Sequence, residues 1–105
     1  MKKFKIAVVG CGGMSNIWVK YALSRENTNI VALVDIDKEN AENMRQKYGL
    51  HCEIYSDVSE AIKDSGTNLV FNITIPDAHR DIAISALTLG CDVLSEKPIQ
   101  NSKPD

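Results

Sequence analysis

A glycine-rich segment between an apolar run and a helical pattern constrains the fold of this chain more than any other feature. The segment Gly10-Cys11-Gly12-Gly13 directly follows the short apolar run from Phe4 to Val9. An amphipathic pattern starts at Met14, where apolar residues begin to recur at helical spacing. A strand, a tight glycine turn and a helix in this order predict the first unit of a parallel α/β sheet.

The rest of the chain repeats this alternation of apolar runs and amphipathic segments. Runs that are apolar on both faces and alternate with helices are typical of a parallel sheet that is covered on both sides. Because crossovers between parallel strands are right-handed, we predict a doubly wound sheet with strand order 3-2-1-4-5. The predicted strands are 4–9, 30–36, 51–55, 69–74 and 92–95, and the predicted helices are 14–24, 38–48, 77–89 and a short one that opens at Ser56 or Asp57.

Two of the predicted helices have an apolar face that we expect to be buried against the sheet. In the first helix the predicted inward residues are Met14, Ile17, Trp18, Tyr21 and Ala22, and in the last they are Ile82, Ala83, Ala86, Leu87 and Leu89. A complete sheet of this type has about six strands, so we expect residues 1–105 to form one domain that is truncated before the sixth strand. The fifth strand would then present an open edge, and we expect the chain to self-associate.

Composition excludes several classes of protein. An apolar content of 44%, a charged content of 25% and a net charge of −2 are those of an ordinary globular domain without a basic surface for nucleic acid or membrane. No apolar run approaches the ~20 residues of a spanning helix. The three cysteines match no disulfide or metal spacing, which indicates reduced thiols in a cytoplasmic protein and no metal site.

The glycine segment has the features of a phosphate-binding turn. Gly10 allows the tight turn, and Gly12 lets the backbone approach a pyrophosphate without a Cβ in the way. The helix that follows offers free N–H groups and the positive end of its dipole to phosphates. Ser15 stands where the pattern usually has a third glycine. A glycine turn without any ligand is the alternative interpretation of the segment.

Asp35, at the end of the second predicted strand, is the candidate ligand of an adenosine ribose. A carboxylate there accepts hydrogen bonds from ribose hydroxyls and repels a 2′-phosphate, so it favours NAD, with NADP possible. The glycine segment and the acid together fit two chemistries, since methyltransferases that use S-adenosylmethionine also carry both features. Later segments must decide between them.

Two further segments follow the fourth and fifth strands, at the edge where open α/β sheets bind ligands. The first runs from Asn72 to His79, and the second is Ser95-Glu96-Lys97-Pro98. Lys97 beside a carboxylate could polarise a substrate oxygen or relay a proton. By spacing alone, a surface histidine and a plain charged loop are the better explanations of these two segments.

Together these residues resemble the Gfo/Idh/MocA family, the group of glucose–fructose oxidoreductase and inositol 2-dehydrogenase. The resemblance is carried by the glycine segment through Met14, by Val34-Asp35-Ile36-Asp37, by Thr74 with His79 five residues later, and by Glu96-Lys97-Pro98. The last element in this position is the most specific, and it argues against a methyltransferase. One departure is Ile75, where the family usually has proline after the threonine.

The resemblance implies a Rossmann-type domain that binds NAD(P) in a two-domain, homo-oligomeric oxidoreductase. Such enzymes transfer hydride between nicotinamide and a hydroxyl of a sugar or polyol. It implies that Lys97 is catalytic and that the cofactor is bound by Gly10, Gly12, Gly13, Met14, Asp35, Ile36, Thr74, Ile75, His79 and Glu96. Because the substrate site lies mostly in a second domain, we expect this chain alone to bind dinucleotide weakly and to be inactive. A non-catalytic NAD-sensing module is the alternative.

Overall fold

The strands form one parallel sheet in the order β3-β2-β1-β4-β5, as predicted. The structure is a computed structural model and describes residues 3–12, 15–73 and 76–95, without the side chains of 76–80 and 95. The elements are β1 (Phe4–Val9), α1 (Ser15–Leu23), β2 (Thr28–Val34), α2 (Lys38–Tyr48), β3 (Glu53–Tyr55), α3 (Val58–Ser65), β4 (Leu69–Asn72), α4 (Pro76–Thr88) and β5 (Asp92–Ser95).

The core consists of two apolar layers, one on each face of the sheet. Ile6, Val8, Leu33 and Phe71 meet α1 and α2 on one face, which we call the α1 face. Alternate residues of the same strands, including Ala7, Val9, Val34 and Val70, point to the opposite, α4 face, where they pack with α3 and with Ala86 of α4. The central strands β1, β2 and β4 are therefore largely buried on both faces, as a parallel doubly wound sheet requires.

Local capping explains where two of the helices begin and end. The Asp37 side chain caps α2 by accepting from the N–H of Glu39 at 3.1 Å, and Gly49 ends it with φ 62°. Asp57, one of the two candidates, caps α3 by accepting from the N–H of Glu60 at 3.0 Å. These bonds satisfy backbone donors that the first turn of a helix leaves open, and they confirm the predicted start of α3.

The second strand ends two residues earlier than predicted. β2 closes at Val34, and the prediction that it continues to Ile36 is wrong. The Asp35 carboxylate accepts from the N–H of Asp37 at 2.9 Å, which turns the chain out of the sheet. Ile36 is consequently 92% exposed. Ile36, the residue after Asp35, therefore lies at the carboxyl edge of the sheet and not in the core.

The predicted inward face of α1 is wrong in two positions. Ile17 and Tyr21 are 71% and 56% exposed, whereas Ser15, Val19 and Ala22 are buried. The helix packs closely on the sheet through a stripe of small side chains, so bulky residues are displaced to its flanks. At the C-terminal end of α4 the same correction applies to Leu87, and to Leu89 just beyond the helix. Both are exposed, while Ala86 is fully buried.

Candidate functional site

The glycine turn lies at the carboxyl end of β1, between two neighbouring strands. Gly10 has φ 94°, a conformation that residues with a Cβ rarely adopt, and its N–H donates to the carbonyl of Val34 at 2.8 Å. This bond links the turn to the carboxyl end of β2. The predicted role of Gly10 in a tight turn is therefore explained by its backbone geometry.

The conformational explanation for Gly10 does not apply to Gly12. Its φ lies outside the left-handed region, and a Cβ added there would meet no heavy atom of the described residues within 4 Å. Among residues 3–12, 15–73 and 76–95, neither the backbone conformation nor packing therefore requires glycine at this position. A Cβ at position 12 would occupy the space beside the loop, where a ligand could approach the backbone closely.

Ser15 closes the loop from the side of α1. It is fully buried, its N–H donates to the carbonyl of Gly12 at 3.1 Å, and its hydroxyl donates to the same carbonyl at 2.5 Å. The hydroxyl also contacts the sulfur of Met44 in α2 at 3.7 Å. A serine at the third position of the glycine pattern is thus small enough for close packing and adds a hydrogen bond to the turn.

Asp35 connects the glycine turn to the segment after β2. One carboxylate oxygen accepts from the N–H of Cys11 at 2.9 Å, and the other accepts from the N–H of Asp37 at 2.9 Å. Each oxygen can accept more than one hydrogen bond, so the carboxylate can still receive ligand hydroxyls. Asp35 therefore both shapes the turn and places a negative charge beside it.

The thiol of Cys11 is buried beneath this turn. Burial, and then the negative charge of Asp35, raise the pKa of Cys11 to about 12. The sulfur lies 3.7 Å from the carbonyl oxygen of Val34. Because the thiol stays neutral at physiological pH, it adds no second negative charge where phosphates would approach.

The predicted residues of the nicotinamide side lie largely outside the described part of the chain. Gly13, Met14, Thr74, Ile75, Glu96 and Lys97 are outside the described residues, and His79 lies in α4 with its side chain outside them. The sheet register does fix where their segments start. Val9, Asn72 and Ser95 are laterally aligned on β1, β4 and β5 at the carboxyl edge.

Two features of this edge were not predicted from the sequence. The first is the bond between the Cys11 N–H and Asp35, which no local pattern signals because the two residues are 24 positions apart. The second is the complete burial of Asn72 at the end of β4. The sequence did contain a signal for this burial, because Asn72 is the polar residue that ends the apolar run of β4, Leu-Val-Phe-Asn.

Neither a metal site nor a membrane-spanning helix is found in the described part of the chain. Within residues 3–12, 15–73 and 76–95, no three His, Cys, Asp or Glu side chains are grouped so that they could hold a metal ion. In that same part of the chain, no helix is long and apolar enough to cross a membrane.

The doubly wound sheet, the glycine turn and the acid after β2 define an α/β domain of the Rossmann type, the class that binds adenosine-containing cofactors. The particular family follows from comparison with known proteins. The model of the Gfo/Idh/MocA oxidoreductases, described as an oxidoreductase family with an NAD-binding Rossmann fold, matches residues 4–103. The chain belongs to this family, and the methyltransferase alternative is therefore wrong.

The most similar proteins include several inositol dehydrogenases. Inositol 2-dehydrogenase from Burkholderia ambifaria is 31% identical over 97 residues, which are 90% of this chain and 28% of that protein. The structure of myo-inositol dehydrogenase from Lactobacillus casei with NAD(H) and myo-inositol superposes with a TM-score of 0.84 at 27% identity, covering 91% of this chain and 29% of the other.

A further solved structure, an NAD-binding protein from Listeria innocua, is 34% identical with a TM-score of 0.79, covering 92% of this chain and 28% of the other. The chain thus spans a little under a third of the length of these relatives. It corresponds to their NAD-binding Rossmann domain.

Proposed function

We propose that this chain is the NAD-binding part of a dehydrogenase that transfers hydride between nicotinamide and a secondary hydroxyl of a cyclic polyol or sugar. Several dehydrogenases similar to this chain are named for activity on inositol. The observation that carries the proposal is Gly12, at which no contact with the described residues and no left-handed φ requires glycine. A dinucleotide pyrophosphate at the N-terminus of α1 supplies that requirement.

In this proposal, two groups of residues at the carboxyl edge of the sheet bind the two halves of the cofactor. Gly10, Gly12, Gly13 and Met14 hold the pyrophosphate, Asp35 accepts from the adenosine ribose, and Ile36 offers an exposed apolar surface for adenine. Thr74, Ile75, His79 and Glu96 line the nicotinamide half. The negative charge of Asp35 favours NAD over NADP.

Lys97 is proposed as the catalytic residue of this chain. It follows β5 by two positions, so its segment leaves the sheet at the edge where β1 and β4 also end. When bound, NAD supplies the hydride acceptor. The ammonium of Lys97 orients the substrate hydroxyl and stabilises negative charge that develops on its oxygen.

Gly12→Ala tests the proposed binding mode. We expect NAD affinity to fall at least about tenfold, because the methyl group occupies the space of the pyrophosphate, a loss of about 1.4 kcal/mol or more. The free energy of unfolding should stay within about 0.5 kcal/mol of that of the unchanged chain, because the added Cβ meets no heavy atom of the described residues within 4 Å. Calorimetric titration with NAD and urea denaturation measure the two quantities.

Gly49→Ala is the matched control for Gly12→Ala. Gly49 ends α2 at φ 62°, away from the edge, and a Cβ there also meets no heavy atom within 4 Å. Alanine at this position should cost about 1 kcal/mol of stability because of the left-handed conformation, with NAD affinity unchanged. Undiminished NAD binding by Gly12→Ala would refute the proposed mode.

We also propose that the parent enzyme is a homo-oligomer and that this chain self-associates. Leu87 and Leu94 are 61% and 49% exposed beside β5, and Tyr21 is 56% exposed across the same groove. Burying this surface between copies would remove apolar area from water. Sedimentation velocity should show association that Leu94→Glu reduces; a monomer at high concentration contradicts the proposal.

A cytoplasmic location completes the proposal. Cys11, Cys52 and Cys91 are free thiols, and two of them are buried. Unpaired cysteines fit a reducing compartment. Recovery of the protein from an oxidising compartment with disulfide-linked copies would contradict this location.

A further inference from the structure

Asn72, the last residue of β4, is a polar side chain that is completely buried. Among the described residues, only Ser15 and Thr67 are buried polar side chains besides it. Burial of an amide costs free energy unless its groups are hydrogen-bonded, and Asn72 does have an interaction partner. An apolar side chain of similar volume would fill the position without that cost.

The position of Asn72 in the sheet gives the amide a possible use. Asn72 is aligned with Val9 on one side and with Ser95 on the other. Val9 directly precedes the glycine turn, and Ser95 directly precedes Glu96. The N–H of Ile73 also donates to the carbonyl of Val9 at 2.9 Å, so the ends of β1 and β4 are joined at this point.

The junction of β1 and β4 is also where the direction of winding reverses. The chain moves from β1 through β2 to β3 on one side, and from β4 to β5 on the other. Ligands of open α/β sheets bind outside the carboxyl ends of the strands at such a reversal. The two buried polar side chains Ser15 and Asn72 both lie at this edge, whereas Thr67 precedes the amino end of β4.

Strand alternation fixes the face on which Asn72 lies. Val70 belongs to the apolar layer of the α4 face, so Asn72, two residues later, lies on that face too. The helix α4 starts four residues after Asn72 and covers this face. The amide is therefore buried at the base of the segment that connects β4 to α4 and contains Thr74.

We infer that Asn72 is a positioning residue that fixes the carboxyl end of β4, and through it the nicotinamide half of the proposed NAD site. The inference rests on the proposed function and extends it to a residue that the proposed function does not place in contact with the cofactor. Asn72 is at the strand end that leads to Thr74, whereas Asp35 of the adenosine half follows the end of a different strand, β2. Loss of the amide should therefore affect the two halves of the cofactor unequally.

The test compares NAD with AMP, which contains only the adenosine half, in NMR titrations of the ¹⁵N-labelled chain. We expect Asn72→Leu to weaken NAD binding about tenfold, the size of one well-placed hydrogen-bond group, and to change AMP affinity by less than about twofold. A general loss of structure would weaken both ligands. The NAD-to-AMP ratio therefore separates positioning from a role in stability alone.

Thr67→Val is the matched control. The substitution removes the hydroxyl of Thr67, a residue that is 7% exposed. This hydroxyl is 2.7 Å from that of Ser65, near the end of β4 opposite to Asn72. The substitution should lower stability without changing the NAD-to-AMP ratio. If Asn72→Leu does not fold, Asn72→Ser removes the amide without added apolar bulk and should lower the ratio as well.

The outcomes distinguish this inference from the proposed function. NAD binding by the unchanged chain together with an unaltered NAD-to-AMP ratio in the folded Asn72 variants overturns the inference alone. A lowered ratio in those variants and not in Thr67→Val supports it. Absence of NAD binding by the unchanged chain overturns both.

Discussion

Asp35→Ala is expected to weaken NAD binding by about tenfold to a hundredfold and to remove most of the preference for NAD over NADP. A hydrogen bond to a charged acceptor contributes about 1.5–3 kcal/mol, and the carboxylate is proposed to accept from the adenosine ribose. The same carboxylate repels a 2′-phosphate. The unchanged chain should therefore bind NAD at least about tenfold more tightly than NADP, and the variant should bind the two within about threefold.

The hydrogen bonds of Asp35 within the chain complicate this substitution. The carboxylate also accepts from the N–H groups of Cys11 and Asp37, so Asp35→Ala leaves two backbone donors without that acceptor. We expect a loss of about 1–3 kcal/mol in the free energy of unfolding. Asp35→Asn separates the effects, because it keeps one acceptor oxygen and removes the charge. It should lose the discrimination against NADP and retain more of the NAD affinity.

Asp37→Ala is the control for the Asp35 variants. Asp37 is the neighbouring carboxylate and caps α2, so its loss should cost about 1 kcal/mol of stability. We expect the ratio of NAD to NADP affinities to stay unchanged in this variant. Calorimetric titrations with both dinucleotides give the ratio. A preference for NAD that survives Asp35→Ala would show that Asp35 does not select the cofactor.

The sequence predicted the sheet well because its signals are local and repeated. The apolar runs at β1 and β4 and the helical pattern of residues 38–48 identify their elements without any tertiary information. The strand order followed from the handedness of crossovers, which is a general property of parallel sheets. Predicting these parts of the fold therefore required no knowledge of which side chains are in contact.

The predictions failed where long-range packing decides the outcome. Ile17 and Tyr21 have the spacing of a buried face, yet α1 uses Val19 and Ala22, because close approach to the sheet favours small side chains. The bond from Cys11 to Asp35 connects residues that only the folded sheet brings together. In the candidate site, the pattern singled out Gly10, Gly12 and Asp35, but it could not show that the acid also shapes the turn.

Phe71→Ala should have the largest effect on stability of the substitutions considered. Phe71 is the largest fully buried side chain in the described residues, and its ring meets that of Trp18 edge-on with centroids 5.0 Å apart. Truncating a buried phenylalanine costs about 3–5 kcal/mol through lost burial and the cavity left behind. A domain of this size is stable by only about 5–15 kcal/mol, so a substantial fraction of the chains could unfold.

Leu94→Ala is a matched control for Phe71→Ala. Leu94 is aligned with Phe71 on the neighbouring strand but is 49% exposed, so its truncation should cost less than about 1 kcal/mol. Urea denaturation gives both values, and an unchanged slope indicates that stability alone has changed.

The consequence for function follows from Trp18, because it lies on α1, whose N-terminus is the proposed phosphate site. The folded fraction of Phe71→Ala should bind NAD more weakly, since the contact that holds α1 against the sheet is lost. Titration with NAD in a stabilising osmolyte, where the variant is folded, measures this effect. Equal affinities for the variant and the unchanged chain under those conditions would show that the loop keeps its geometry without this contact, so that the core and the site are coupled only through global stability.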